Sequence, residues 1–236
     1  MTSTDSTPAL RDHVADSCRV LGHNGHGDYT SGHVAVRDPE GRGVWMKASN
    51  RGLEEIEPTD VLLVDWDGNV LDGDGNRHAE WPIHTEIMRA RADVNVTVHS
   101  HPPYSIALGV SGKPLRPVSH AATVFPPPDV PRFNRTTDLI LDREMGGHLA
   151  DEIGSRPAML MLNHGIVTVG ETHQQAVMRA VLLEQACYHQ LLAEMMGGVL
   201  HFTPDHELAA KGSRMGHPKI FEEQFRYLLR RISSRS

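Results

Sequence analysis

The sequence predicts one domain with a layered α/β or α+β fold. Short apolar runs typical of strands are interspersed with segments of helical periodicity along the whole chain. We find no internal repeat and no linker that would divide the chain. With 236 residues, the chain is also long enough to bury a substantial hydrophobic core.

The predicted helices and strands are mixed along the chain. A polar stretch of about residues 1–8, which we expect to be disordered, leads into a helix from about Pro8 to Leu21. Strands are predicted at His33–Arg37, Val44–Ala48, Val61–Trp66, Val94–Ser100, Ala158–Leu162 and Ile166–Val169. Further helices are predicted at Pro82–Arg91, in the later part of Leu139–Ile153, from Glu171 to about Met196, and at Pro218–Ile232. The segments GHNGHGDYTSGH and VFPPPDVP are predicted loops.

The composition argues against several classes of protein. A formal net charge of -7 without a long basic run disfavours a nucleic-acid partner. No apolar run reaches the ~18 residues of a membrane span, and the first residues lack the apolar stretch of a signal peptide. Two cysteines, Cys18 and Cys187, are too few for a disulfide scaffold and fit a reducing compartment, so we expect a cytoplasmic protein. The 16 histidines indicate metal or proton chemistry.

Three short motifs carry candidate metal chemistry. His99 and His101, in HSHP, end a predicted strand whose period of two places both side chains on one face, within reach of one ion. His164 follows another strand, and Gly165 permits a tight turn that aims this imidazole inward. Glu80 immediately precedes a predicted helix. Taken singly, these residues also fit surface histidines, a turn histidine and a helix-start carboxylate.

The three motifs together predict a catalytic metal site. Three neutral imidazoles suit zinc or a similar first-row ion. Three protein ligands leave a coordination position open, as catalytic sites do, and the scarcity of cysteine disfavours a structural zinc. Beside such an ion, Glu80 is the candidate general acid or base.

Two other protein families also use a His-x-His motif. With its upstream glutamate, HSHP resembles the metal motif of the JAMM isopeptidases, which continues to a serine and then to an aspartate ligand. Here the continuation, PYSIALGVSGKPLRP, contains Ser111 but no aspartate. Amidohydrolase barrels carry the motif on an early strand of a longer chain, whereas here it lies mid-chain. Both interpretations are therefore disfavoured.

Four segments carry a resemblance to another family, namely TSGHVAVR, VLLVDWDG, EWPIHTEIMRARADVNVTVHSHPPYSIAL and LNHGIVTVGET. From about Leu10 to Ile232, the chain resembles the class II aldolase/adducin family, typified by fuculose-phosphate aldolase. The resemblance implies a three-layer α/β/α fold around a central, mostly antiparallel sheet. It also implies a fourfold-symmetric homotetramer with active sites near the subunit interfaces.

The same resemblance implies the cofactor and its ligands. One divalent metal ion per subunit would be bound by His99, His101 and His164, and Glu80 would handle protons. We expect zinc, with manganese, cobalt or iron as alternatives.

The chain departs from the family where the sugar-phosphate aldolases hold phosphate. An asparagine that helps to hold the phosphate is replaced by His33. A Thr-Gly pair corresponds to Ser49 and Asn50, and two serines correspond to His78 and Ala79. A phosphate site needs several convergent small donors and close backbone approach, so these changes argue against a sugar phosphate.

These departures favour decarboxylation over aldol cleavage. Some family members that resemble this chain decarboxylate ortho-hydroxylated aromatic dicarboxylates, such as a dihydroxyphthalate or a hydroxypyridine dicarboxylate. A metal that chelates a hydroxyl beside a carbonyl or carboxylate stabilises a developing enolate in either reaction. The alternative is a class II aldolase for a non-phosphorylated hydroxy-keto substrate. A non-catalytic, adducin-like binding module is disfavoured because the histidines and the glutamate are retained.

Several further residues are candidates for the site of an acidic small-molecule substrate. The predicted substrate-binding residues are His33, Lys47, Ser49, Arg51 and His78, each of which also fits a solvated loop residue. Tyr227, near the C-terminus, is expected to reach the active site of a neighbouring subunit. The aldolases' tyrosine acid would fall near Ala121, so the adjacent His120 is a second candidate acid beside Glu80.

Overall fold

An eight-stranded sheet forms the centre of the computed structural model, which describes residues 7–234. In chain order the strands are β1 (His33–Arg37), β2 (Gly43–Lys47), β3 (Val61–Asp65), β4 (Val70–Asp72), β5 (Val96–Ser100), β6 (Arg132–Phe133), β7 (Ala158–Met161) and β8 (Gly165–Gly170). They lie side by side in the order β4-β3-β2-β1-β5-β8-β7-β6. Every neighbouring pair is antiparallel except β6 and β7, which run parallel.

Helices cover both faces of this sheet. In the described chain they are α1 (Thr7–Leu21), α2 (Trp81–Ala90), α3 (Pro103–Ser111), α4 (Arg143–Ile153), α5 (His173–Met195), α6 (Asp205–Met215) and α7 (Pro218–Ser233). Strand side chains alternate between two hydrophobic cores. In β7, Leu160 packs into the core with α1, α5 and α7, whereas Met159 and Met161 pack into the core with α2 and α4. The expected three-layer α/β/α fold is confirmed.

Most elements predicted from the sequence are confirmed, but two strands and two α-helices of the described chain were not predicted. The start of the predicted loop, Gly22–His26, is a kinked π-helical turn that continues α1. Strands β4 and β6 are too short to show a period, and α6 was not recognised. The apolar residues of α3 are not confined to one face, since Leu108 is buried but Val110 is 55% exposed. Thr7 and Pro8 already belong to α1, and the rest of the stretch expected to be disordered lies outside the described residues. Within residues 7–234, no helix has the length and apolar character to cross a membrane.

The strand register brings the site-bearing segments together. Strand β5 lies between β1 and β8, so His99 is directly opposite His33 of β1. The turn that leads into β8 approaches the end of β5 so closely that a Cβ on Gly165 would lie 2.3 Å from the Ser100 carbonyl oxygen. Gly165 is therefore needed for close backbone approach, which carries the adjacent His164 to the end of β5.

Candidate metal centre

Four side chains that could bind a metal ion converge at one end of β5. His99 lies within β5, His101 directly follows it, His164 lies between β7 and β8, and Glu80 immediately precedes α2. One ligand atom from each lies within 4.8 Å of the others, and no second such group of His, Cys, Asp or Glu occurs in residues 7–234. The structure thus brings together the three histidines predicted as ligands and the predicted acid–base residue.

Hydrogen bonds at Nδ1 determine which nitrogen each of two histidines offers to an ion. His99 Nδ1 lies 2.9 Å from the Ile166 carbonyl oxygen, and His101 Nδ1 lies 2.9 Å from Asp28 Oδ2. Both partners can only accept, so each Nδ1 donates its proton and each Nε2 keeps a lone pair. A carboxylate or carbonyl behind the ring is the usual second partner of a metal-ligating histidine.

The two free lone pairs face each other. His99 Nε2 and His101 Nε2 are 3.0 Å apart, and His164 Nε2 is buried without a hydrogen-bond partner of good geometry. Two facing lone pairs repel unless a cation or a proton lies between them. Burial also lowers the pKa of His99 well below its usual value, so this imidazole stays neutral, as metal ligation requires. The residues present therefore fit a divalent metal ion.

Glu80, the fourth side chain of this group, carries a stabilised negative charge. Its Oε1 accepts a hydrogen bond from the Ile140 backbone N–H at 2.9 Å and lies 3.5 Å from His164 Nε2, while Oε2 is 3.7 Å from His99 Nε2. Burial alone would raise the pKa of Glu80, but the two imidazoles and the Ile140 N–H outweigh it and lower the pKa to about 2. Glu80 is therefore a carboxylate at neutral pH in this structure.

An open cleft borders the cluster. It has a volume of about 570 Å³, and His101 and His164 contribute to its wall together with Asp28, Ile106 and Leu139. A cleft of this size accommodates a small organic molecule. It gives a substrate access to the side of the cluster where two of the imidazoles are partly exposed.

A second group of histidines lies next to His99. His33 is 2% exposed, and its ring centroid lies 5.0 Å from that of His99 and 4.5 Å from that of His78. His78 Nε2 is buried without a hydrogen-bond partner, and burial lowers the pKa of His78 to about 3. The structure thus places two of the predicted substrate-binding residues next to the candidate metal centre.

Three other predicted substrate-binding residues, Lys47, Ser49 and Arg51, differ from one another in burial. The Lys47 ammonium is buried and donates to the carbonyl oxygens of Thr30, at 3.0 Å, and Arg51, at 2.6 Å. Burial lowers the pKa of Lys47. Ser49 is partly buried, and the Arg51 side chain is 52% exposed, with Glu55 and Asp60 as distant ionic partners. Of these three, only Lys47 is enclosed near the histidines.

Two predicted site residues are not joined to the cluster by any contact found among residues 7–234. His120 is exposed and precedes a short 3-10 turn, where only its carbonyl is bonded, to Thr123. Tyr227 is 53% exposed on α7 and lies in a groove between α5 and α7 with Tyr104 and Tyr188. Within one chain, neither side chain borders the cleft.

Three residues of this region were not singled out from the sequence. Asp28, in the Gly- and His-rich loop, forms a hydrogen bond with His101. His84 forms a hydrogen bond with His33, and Thr97 forms one with His84. The density of polar residues in that loop was the only available signal for Asp28. His84 and Thr97 lie inside predicted elements, where a polar residue gives no local indication of its partner.

A comparison with known families decides the relationship of this chain. The profile of the class II aldolase and adducin N-terminal domain matches residues 12–191. The chain belongs to this family. The match includes all four residues of the candidate metal centre, and the resemblance indicated by the sequence motifs is confirmed.

The relatives of this chain include decarboxylases and aldolases. A 3,4-dihydroxyphthalate decarboxylase from Arthrobacter keyseri is 32% identical over 236 residues, covering 95% of this chain and 94% of the relative. A 5-methylthioribulose-1-phosphate/5-deoxyribulose-1-phosphate aldolase from Rhodospirillum rubrum is 28% identical, covering 75% of this chain and 78% of the relative. The structure of an L-fuculose 1-phosphate aldolase from Glaciozyma antarctica PI12 superposes with a TM-score of 0.85 at 26% identity, covering 99% of this chain and 94% of that one. This chain is accordingly a lyase that acts on a small molecule.

Proposed function

We propose that this chain is a divalent-metal-dependent decarboxylase of an ortho-hydroxylated aromatic dicarboxylate, of the dihydroxyphthalate or hydroxypyridine-dicarboxylate type. One observation carries the proposal, namely the facing Nε2 lone pairs of His99 and His101 beside Glu80 and an open cleft. The decarboxylase from Arthrobacter supports the choice of reaction. Such an enzyme would act in the breakdown of aromatic compounds, and its two buried, free cysteines fit a cytoplasmic location.

The residues that would hold the metal are His99, His101 and His164, each through Nε2. Zinc is the ion we propose, with manganese, cobalt or iron as alternatives, because neutral imidazoles suit all of these ions. When bound, the ion supplies a Lewis acid beside the reacting oxygen atoms of the substrate. Asp28 and the Ile166 carbonyl hold the His101 and His99 rings in the orientation that this binding needs.

Glu80 would move the proton that the reaction requires. As a carboxylate in the free protein, it can accept the proton of the substrate's ortho hydroxyl when the substrate binds. The bond between the ring carbon and the departing carboxylate then breaks, CO2 leaves, and the electron pair stays with the ring carbon. Glu80 returns its proton to that carbon to form the new C–H bond, and the hydroxyl regains a proton from water on product release.

The second carboxylate of the substrate would meet the imidazoles next to His99. His33 and His78 stand where sugar-phosphate aldolases carry small phosphate-binding residues, and within residues 7–234 His78 Nε2 has no hydrogen-bond partner. Lys47 has three N–H donors, and two of them bond to partners among the described residues, so we propose that the third binds the anion. Ser49 and Arg51 are the outer residues proposed for this subsite.

The active assembly we propose is a homotetramer. Leu192 and Met195 at the end of α5, and Met196 directly after it, are exposed, which is typical of a surface that is covered by another subunit. Tyr227 and His120 do not border the cleft of their own chain, so we propose that Tyr227 serves a neighbour's site and keep His120 as the alternative acid.

A substrate panel tests the proposed reaction. The purified, zinc-loaded chain is offered 3,4-dihydroxyphthalate, a hydroxypyridine dicarboxylate, L-fuculose 1-phosphate and its non-phosphorylated analogue, and CO2 and organic products are measured. We expect CO2 release from an aromatic dicarboxylate and no aldol cleavage. Cleavage of a hydroxy-keto compound without CO2 release from either dicarboxylate would establish the aldolase alternative, which the aldolase relatives support.

A further inference from the structure

A buried row of three side chains leads from the interior of the sheet to His33, which is proposed to meet the substrate's second carboxylate. Thr97 Oγ1 of β5 lies 2.5 Å from His84 Nδ1 of α2, and His84 Nε2 lies 2.5 Å from His33 Nδ1 of β1. Thr97 and His84 have no exposed surface, and His33 has 2%. Nothing in the proposed mechanism uses Thr97 or His84, yet burying three polar side chains is costly unless each bond is made.

Only one direction of the hydrogen bonds in this row gives the Thr97 hydroxyl proton an acceptor. Among the described residues, the Thr97 hydroxyl has no other acceptor, so its O–H donates to His84 Nδ1. Full burial lowers the pKa of His84 to about 3, and a neutral imidazole carries a single N–H. With Nδ1 accepting, that N–H is on Nε2 and donates to His33 Nδ1. His33 must then carry its own proton on Nε2.

We propose that Thr97 and His84 are positioning residues that hold His33 as a hydrogen-bond donor, so that the substrate group facing His33 is an acceptor such as a carboxylate. The free end of the row is the His33 Nε2–H, on a ring 4.5 Å from His78 and 5.0 Å from the candidate ligand His99. The part of this inference that concerns the carboxylate rests on the proposed function. The direction of the hydrogen bonds does not.

The direction can be read from histidine tautomers. Long-range proton–nitrogen NMR spectra of the zinc-loaded full chain, labelled with ¹⁵N-histidine, distinguish an Nε2–H from an Nδ1–H imidazole. His33→Gln and His84→Gln spectra assign the two signals. We expect both residues to be single Nε2–H tautomers, and we expect Thr97→Val, but not Thr97→Ser, to abolish the single tautomer of His84. An Nδ1–H tautomer of either residue would overturn the proposed direction of the hydrogen bonds. A Thr97→Val spectrum identical to that of the unaltered protein would overturn it as well.

The substrate side is tested by binding and by kinetics. Phthalate, which has two carboxylates and cannot react through an ortho hydroxyl, is titrated by calorimetry into the zinc-loaded protein. Losing an ordered donor to a carboxylate weakens binding by about tenfold, so we expect that change in phthalate affinity for Thr97→Val and recovery for Thr97→Ser. With the reacting substrate, KM should rise by about tenfold while kcat stays within about twofold.

A matched control separates positioning from general destabilisation. Thr168 is a buried threonine of β8 whose hydroxyl donates to the Ala176 carbonyl at 2.8 Å and not to a member of the row of three. Thr168→Val should leave phthalate affinity unchanged, and zinc content is checked in every variant. Unchanged phthalate affinity in Thr97→Val would refute the carboxylate contact even if the tautomers are as expected. Absence of any decarboxylase activity would refute the proposed function. The histidine tautomers would still show whether the hydrogen bonds of the row run in the proposed direction.

Discussion

At the scale of single residues, the partner of each imidazole nitrogen determines what that imidazole can do. A carbonyl or carboxylate at Nδ1 leaves a lone pair on Nε2 of His99 and His101, whereas a hydroxyl donor behind His84 leads to a proton on Nε2 of His33. The same side chain thus fits the role of a metal ligand in one place and that of a hydrogen-bond donor in the next.

Replacing Glu80 by glutamine keeps the shape of the side chain but removes the group that titrates. Because the ring carbon must receive a proton, we expect Glu80→Gln to retain metal and most substrate affinity while kcat falls by about a hundredfold or more. Steady-state kinetics with elemental analysis measures both. His120→Ala is the control. Normal turnover of Glu80→Gln together with an inactive His120→Ala protein would assign the proton donor to His120 instead.

Replacing Asp28 by asparagine removes the carboxylate that fixes the His101 ring. Second partners of this kind typically contribute 10–100-fold to metal affinity, so we expect Asp28→Asn to bind zinc about tenfold or more weakly. Competition with a chromophoric chelator measures the change. Asp138→Asn is a matched control because Asp138 lines the same cleft but bonds only the Leu139 backbone N–H. Equal zinc affinity in Asp28→Asn and the unaltered chain would contradict this assignment.

At the scale of elements, two contacts hold the site in place. The pairing of β5 with β1 and β8 aligns His99 with the strands on either side. Helix α3, which starts immediately after His101 and Pro102, is held by Glu184 of α5. The Glu184 carboxylate accepts from the Tyr104 N–H at 2.9 Å, the Ser105 N–H at 2.8 Å and the Ser105 hydroxyl at 2.7 Å. These bonds satisfy the otherwise open N-terminus of α3.

Removing the Glu184 carboxylate should destabilise the chain measurably. Glu184→Ala leaves the half-buried Tyr104 N–H and the buried Ser105 N–H without a partner, and we expect the free energy of unfolding to fall by about 2 kcal/mol. Urea denaturation measures the loss. Glu194→Ala on the same helix is the control, because Glu194 pairs only with Lys113 near the surface and should change stability by less than about 1 kcal/mol. Equal effects of the two substitutions would refute the capping role.

At the scale of the whole molecule, two hydrophobic cores on either face of one sheet enclose several neutral histidines. Burial lowers the pKa of His26, His84 and His173 to about 3 each, whereas the unfolded chain keeps a value near 6.5. Between these values the unfolded state binds more protons than the folded state, so the free energy of unfolding rises with pH. The contribution is fully present above about pH 6.5 and is lost as the pH falls towards 3.

This difference predicts acid-sensitive stability. Each such histidine contributes a slope of up to about 1.4 kcal/mol per pH unit below its unfolded pKa. Urea denaturation at pH 7.5, 6.5, 5.5 and 5.0 should show stability falling steadily below pH 6.5. His173→Gln, which replaces a histidine remote from the metal centre, should reduce that slope. A stability curve that is flat between pH 7 and pH 5 would contradict the prediction.

Assembly is the second prediction at this scale. We expect light scattering to give a mass four times the 26.1 kDa of one chain. Tyr227→Ala should lower activity without loss of zinc, because the side chain is proposed to serve a neighbouring subunit. A fully active monomer, or a Tyr227→Ala protein with normal activity, would refute the shared site.

Much of the site could be predicted because its signals are local. His99 and His101 are two residues apart on one strand, Glu80 directly precedes a helix, and His164 follows a strand. From such spacings, the strand and helix periods determine on which face each side chain lies. The elements that escaped prediction were short, such as β6, or lacked an amphipathic period, such as α3.

The sequence by itself determined the layered fold, the longer elements and the residues of the candidate metal centre, since period and spacing are properties of adjacent residues. Only the tertiary structure decided the partners that orient these residues. Asp28 and His101 are 73 positions apart, Glu184 and Ser105 are 79 apart, and His33 and His84 are 51 apart. The pairing of buried donors with buried acceptors depends on how distant segments of the chain pack together. Local sequence patterns cannot predict that packing.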